Sequence, residues 1–225
     1  REEKRRKKDK NIKYKKAIQM ALSTLEQNPE KYFESSVPKL VNPLEGKSTL
    51  LEQGKPNYET PLSAYSPKFE RILQHIMNQD NRGLHLLYSN FRTLEGIGIF
   101  KMVLDYHGYT ELKIKRNNMG NTILYKLQFD NPYYENHMFG DSRELSTSLR
   151  KRKFYALYTD KEEEEDKEMI RNIFNGQLDK VPPSLRDDIV NHFYNGKYRK
   201  LNGKNNMYGD LIKLLIISSS GAEGI

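Results

Sequence analysis

The sequence predicts an α/β fold: a mostly parallel sheet layered between helices, with a β-hairpin insertion and an N-terminal helical extension. Three observations carry this reading. Short apolar runs at 84–88, 154–158 and 211–217 read as strands buried on both sides of a parallel sheet. Segments with a helical apolar period lie between them, which is the rhythm of an α/β chain. The stretch 111–129 alternates in period two around Asn117-Asn118-Met119-Gly120-Asn121, as a hairpin does. A chain of 225 residues suffices for one sizeable core with appendages.

Residues 1–30 read as a basic helical arm. Tyr14, Ile18, Ala21, Leu22 and Leu25 recur at helical spacing until Asn28-Pro29 stops them. Residues 31–64 carry Pro38, Pro43, Pro56 and Pro61 without a sustained period and read as an irregular linker. The main domain spans 65–225, with an insertion over about 111–152. It opens at Ser66-Pro67, where a serine can cap an orphan amide and proline suits the first helical position. Phe69, Ile72, Leu73, Ile76 and Met77 give that helix its apolar face. A second helix follows the first strand, with Ile97, Phe100, Val103 and Leu104 inward and Gly108 as its stop. After the strand at 154–158, the acidic run 162–166 reads as a helix start, where negative charge opposes the helix dipole. Met169, Ile170, Ile173 and Phe174 form its inner face, and a further helix is predicted over 185–193. The last strand, 211–217, delivers the loop from Ser218 to Gly224.

Charge and composition narrow the function classes. The formal charge is +8, but residues 1–16 hold ten Lys or Arg against three acids, so the remaining chain is close to neutral. Such a run suits a solvated helix as well as a phosphate-binding arm. Cysteine is absent and the five histidines show no ligand spacing, so neither a disulfide framework nor a metal site is predicted. The apolar runs, Leu214 to Ile217 among them, are far too short to span a bilayer, and an intracellular, non-membrane protein is expected. Gly46-Lys47-Ser48-Thr49 has the look of a phosphate-loop tail. However, Val41 stands where the upstream glycine is needed and no strand leads into it.

Functional loops of open α/β sheets sit at the carboxyl ends of their strands. Three such loops are Ser89–Arg92, Thr159-Asp160 and Ser218–Gly224, the last built of small hydroxyl and glycine residues that let a backbone approach an anion. The segment Ile217-Ser218-Ser219-Ser220-Gly221-Ala222-Glu223-Gly224-Ile225 resembles motif V of superfamily II helicases. More closely, it is similar to the poxvirus-type nucleoside triphosphatase I and early-transcription-factor small-subunit helicases of large nucleocytoplasmic DNA viruses. The resemblance extends to Tyr65-Ser66-Pro67-Lys68-Phe69, to Leu87–Gly96 as the motif IV segment, and to Ala156-Leu157-Tyr158-Thr159.

That resemblance implies the second, C-terminal RecA-like lobe of a helicase, a three-layer αβα unit, with this chain a fragment truncated at motif V. It implies a parent NTP-dependent helicase or translocase acting in viral transcription, in the virion and host cytoplasm. ATP or another NTP with Mg2+ would be bound mainly by a first lobe absent from this chain, leaving no catalytic residue in the fragment and the fragment inactive alone. Partners implied are a DNA or RNA single strand, the N-terminal RecA-like lobe of the same polypeptide, and RNA polymerase or transcription-factor subunits. The nucleic-acid contacts would be Ser89, Asn90, Arg92, Thr159, Ser218, Ser219 and Ser220, and the nucleotide cleft would hold Gly221, Glu223 and Gly224. Asp160 departs from the family pattern, where glycine is common. The alternative is a non-enzymatic transcription-factor subunit that uses the lobe as a nucleic-acid and partner docking module.

Overall fold

The computed structural model describes residues 2–37, 60–78, 80–90, 96–120, 122–133, 153–194, 196 and 206–219. Among them are seven α-helices: α1 Glu2–Gln27, α2 Pro29–Phe33, α3 Pro61–Tyr65, α4 Pro67–Met77, α5 Ile97–Tyr106, α6 Glu164–Phe174 and α7 Pro183–Tyr194. Five strands form one sheet: β1 His85–Ser89, β2 Tyr109–Met119, β3 Thr122–Asp130, β4 Lys153–Tyr158 and β5 Leu214–Ser218. Their order is β1-β5-β4-β2-β3, parallel throughout except for the β2–β3 hairpin.

The α/β reading therefore holds, with a mostly parallel sheet and a hairpin whose first arm belongs to it. Alternation along the strands divides the core in two. Leu214, Ile216 and Tyr155 pack with Leu73, Phe100, Val103 and Leu104 of α4 and α5 on one face. Leu215, Ile217, Phe154 and Ala156 pack with Ile170, Ile173, Leu185 and Ile189 of α6 and α7 on the other. A strand buried on both faces is expected to be apolar along its length; β5, buried at all five positions, is apolar from Leu214 to Ile217 and ends on the buried Ser218.

Local chemistry explains the boundaries. The Ser66 hydroxyl accepts from the Phe69 N–H at 3.3 Å, with Pro67 at the first helical position of α4. Gly108 and Gly176 follow α5 and α6 at φ of 90° and 70°, which glycine adopts without the Cβ clash that other residues meet. The turn into β5 is clamped by the buried Asn206. Its amide donates to the carbonyls of Phe174 and Ile212, and its oxygen accepts from the N–H groups of Leu211 and Ile212. The outer edge of β3 is also occupied: the Tyr125 and Leu127 N–H groups donate to Ser184 and Asp188 of α7. Those contacts cover an edge that would otherwise pair with other chains.

Three expectations are corrected. The 84–88 run is not buried on both sides: among the described residues β1 is an edge strand paired only to β5, and Leu86 and Tyr88 are 63% and 54% exposed. Composition cannot distinguish an edge strand from a central one, because topology decides which neighbours arrive. The arm helix forms, but Tyr14 is exposed, and only Leu22 and Leu25 of its expected face pack against the core. The stretch expected to be an irregular linker contributes α2 and α3, whose Phe33 and Leu62 are buried. Residues 38–59, with the Gly46–Thr49 segment, and residues 134–152 of the insertion lie outside the described residues.

Candidate nucleic-acid interface

The parallel register brings the three strand ends together. Ser89 pairs with Ser218, and Tyr158 pairs with Ile217, so Thr159 follows β4 at the level of Ser218. These positions therefore sit side by side on adjacent strands at one edge, in the lateral order β1, β5, β4, roughly 4.8 Å apart per strand. Leu87 and Ser89, Ile216 and Ser218, and Leu157 and Thr159 each alternate onto the face covered by α4 and α5. β1 and β5 end on serine, and β4 is followed directly by Thr159, at the carboxyl edge where parallel α/β sheets present their loops.

Accessibility divides the group. Asn90 and Ser219 are exposed and Ser89 is half-buried, whereas Ser218 and Thr159 are buried. The Asn90 side-chain oxygen accepts from the Tyr88 hydroxyl at 2.7 Å, leaving its amide group to point elsewhere. Arg92, Ser220, Gly221, Glu223 and Gly224 lie outside the described residues.

Thr159 has a local partner that the sequence reading did not assign. Both its N–H and its hydroxyl donate to Glu162 Oε2, each at 2.7 Å, and the Lys161 N–H donates back to the threonine oxygen at 3.3 Å. A carboxylate thus occupies a two-donor anion cradle at the end of β4. The signal was present in the sequence as Thr159-Asp160-Lys161-Glu162, the spacing at which a hydroxyl residue and a glutamate exchange hydrogen bonds around a turn. The helix itself begins at Glu164, so Glu162 and Glu163 precede its first turn.

Three further acids of the run, Glu163, Glu165 and Asp166, face the hairpin. Arg116 meets Glu163 at 2.6 Å, Asp166 at 3.0 Å and Glu165 at 3.5 Å, while the Tyr125 hydroxyl donates to Glu165 at 3.3 Å. The guanidinium is held charged by these carboxylates, against a desolvation that works the other way. A cleft of about 260 Å³ lies between hairpin and α6, lined by Glu111, Lys113, Lys161, Glu162, Glu163 and Asp166. A larger cavity of about 440 Å³, bordered by Phe69, Ile72, Leu87, Ser89 and Phe100, is mainly apolar and lies beneath the end of β1.

A buried charge cluster roots the hairpin. Lys101 of α5 reaches Asp105 at 2.8 Å and Glu111 at 3.0 Å, Lys113 joins Glu111 to Asp130, and the Tyr155 hydroxyl donates to Asp105 at 2.7 Å. Burial pushes the Asp105 carboxyl up to about 6, the Lys101 charge opposing the rise. Lys101 is raised in turn, because its two carboxylates outweigh its own desolvation. Both shifts are upward, which favours the charge on Lys101 and disfavours it on Asp105: Lys101 retains a quarter of its surface in water while Asp105 is 1% exposed. The desolvation cost therefore falls on the carboxylate.

Among the described residues no group of three His, Cys, Asp or Glu is arranged to hold a metal ion, and no helix is long and apolar enough to cross a membrane. The chain matches no protein-family model, no curated protein and no solved structure.

Proposed function

We propose that this chain is the nucleic-acid-gripping C-terminal lobe of an NTP-dependent helicase or translocase acting in viral transcription, contacting the phosphate backbone of a single strand at the carboxyl edge of its sheet. The observation that supports it best is the side-by-side arrangement of Ser89, Ser218 and Thr159 on three parallel strands, with Asn90 and Ser219 exposed beside them. Of this group the exposed Asn90 and Ser219 and the half-buried Ser89 offer hydroxyl and amide donors to phosphate oxygens, contacts that carry no base preference. Phosphoryl transfer relies on positioning and charge neutralisation, so NTP and Mg2+ chemistry would need a phosphate-binding lobe in addition to this one. None of the hydrolytic chemistry is assigned to the described residues.

The test is anisotropy of a fluorescein-labelled oligothymidine titrated with the chain across a salt series. Binding that weakens with salt and drops about tenfold or more in a Ser89→Ala, Asn90→Ala, Ser219→Ala triple variant supports the reading, since each lost hydrogen bond is worth roughly 0.5–1.5 kcal/mol. Binding lost only on deletion of residues 1–16 would assign the contact to the basic arm instead.

A second reading, a non-enzymatic docking subunit, is favoured by the edge strand. Leu84, just before β1, and Leu86 and Tyr88 on it form an exposed apolar row, the kind of surface that another chain covers.

A further inference from the structure

The hairpin carries two lysines that its own ion pairs do not use. In the β2–β3 register Lys115 stands directly opposite Lys126, and both are exposed. Like charges directly opposed on antiparallel strands destabilise the pair, so the arrangement calls for a reason outside the hairpin. The other cations of the hairpin are matched: Lys113 with Glu111 and Asp130, and Arg116 with Glu163, Glu165 and Asp166. Among the described residues neither Lys115 nor Lys126 lies in an ion pair.

Register fixes where this pair stands. β2 pairs with β4 only from Tyr109 to Glu111, the last pair being Glu111 with Tyr155. Carried forward along both strands, that register sets Ile114 level with Tyr158 and Lys115 level with Thr159. Glu111, Lys113 and Lys115 alternate onto the same sheet face as Tyr155, Leu157 and Thr159. The opposite face of the hairpin, with Ile114, Tyr125, Leu127 and Phe129, packs against the α6–α7 cluster. Counted this way, the lysine pair extends the row Ser89, Ser218, Thr159 one and two strands further across, on the part of the hairpin that runs beyond the last β2–β4 pair. From Ile114 to Met119 the hairpin runs on past the end of β4 by roughly 17 Å at 3.4 Å per residue. Its tip exposes Met119 and Ile123.

We infer that the Lys115–Lys126 face of the hairpin is a second phosphate-contact surface, engaging the backbone of the strand held at the carboxyl edge. This rests on the proposed function and adds to it a named surface and a path, from β1 across the strand ends to the hairpin. An anionic polymer laid along that row offsets the repulsion between the two ammonium groups, and the contact is sequence-independent because it reads phosphate alone.

The experiment compares the whole chain with a Lys115→Gln, Lys126→Gln variant and a control variant, Lys31→Gln, Lys180→Gln, in oligothymidine binding across a salt series. The lysine-pair variant is expected to bind more weakly and to lower the slope of log K against log salt by about 1.4, near 0.7 per lost single-strand contact. The control is expected to retain the wild-type slope. Lys126→Glu alone provides a second readout, because it creates an opposite-charge pair with Lys115: thermal stability is expected to rise while binding falls. A purely structural role would move both quantities together. An unchanged slope in the double variant, or an equal loss in the control, overturns the inference and leaves the strand-end reading standing. Absence of salt-sensitive binding by the wild-type chain overturns the strand-end reading, and this inference with it.

Discussion

Replacing Asp105 by asparagine should change the pH dependence of folding in a direction that the geometry fixes. Asp105, in the last turn of α5, is 1% exposed, with Lys101 as its cationic partner and the Tyr155 hydroxyl as its donor. Its carboxyl sits at about 6 in the folded chain against 3.8 for the free group, burial being the dominant cause. The folded state therefore binds this proton more tightly than the unfolded state does. Below about pH 4 both states are protonated and the group costs nothing; as pH rises toward 6 and beyond, the folded state must carry a buried charge and stability falls. The ceiling on that loss is roughly 3 kcal/mol, at 1.36 kcal/mol per tenfold change in proton affinity. Asparagine cannot ionise, and Lys101 keeps Glu111 as a partner at 3.0 Å. Urea unfolding of wild type and Asp105→Asn should thus show the variant gaining relative stability by up to about 3 kcal/mol between pH 4 and pH 7. Parallel pH profiles would refute the reasoning. A wild type that gains on the variant with rising pH would show instead that the Lys101 pair outweighs burial.

Three further outcomes follow from local geometry. Ser66→Ala removes the α4 cap and should cost about 1 kcal/mol in chemical unfolding, with little effect on oligothymidine binding. Asn206→Ala leaves two carbonyls and two N–H groups without their partner at the entry to β5. A loss of roughly 2–4 kcal/mol is expected, read as a lower urea midpoint at unchanged m. Glu162→Gln removes the charge from the cradle at Thr159 and should strengthen oligothymidine binding several-fold more than Glu168→Gln, an exposed acid on α6. Equal effects of the two would mean that only general charge is sensed.

Much of this architecture was legible because the signals were local. A capping serine before proline, glycines at positive φ, and alternation around Gly120 each specify their element through the backbone they permit. The core faces of α5 and α6 follow from helical spacing, and Ile97, Phe100, Ile170 and Ile173 are buried as that spacing requires. What could not be read is set by neighbours rather than by the segment itself. Leu86 and Tyr88 belong to an apolar run indistinguishable from a central strand, yet strand order leaves them at an edge. The charge cluster joins Lys101, Glu111, Asp130 and Tyr155 across four elements, and no spacing along the chain announces it. The opposition of Lys115 and Lys126 likewise depends on hairpin register, which a one-residue slip would abolish. At the candidate interface, the hydroxyl residues at strand ends could be read from the chain. Their accessibility came from the fold, which leaves Asn90 and Ser219 open and turns Thr159 toward Glu162.

The most direct test of strand-end phosphate grip is amide hydrogen exchange of the whole chain with and without saturating oligothymidine. Protection is predicted at 89–90, 159–162 and 218–219, the carboxyl ends of β1, β4 and β5, and in the hairpin around Lys115 and Lys126. Protection confined to the basic α1 arm, with the strand ends exchanging as they do in the free chain, would contradict the account.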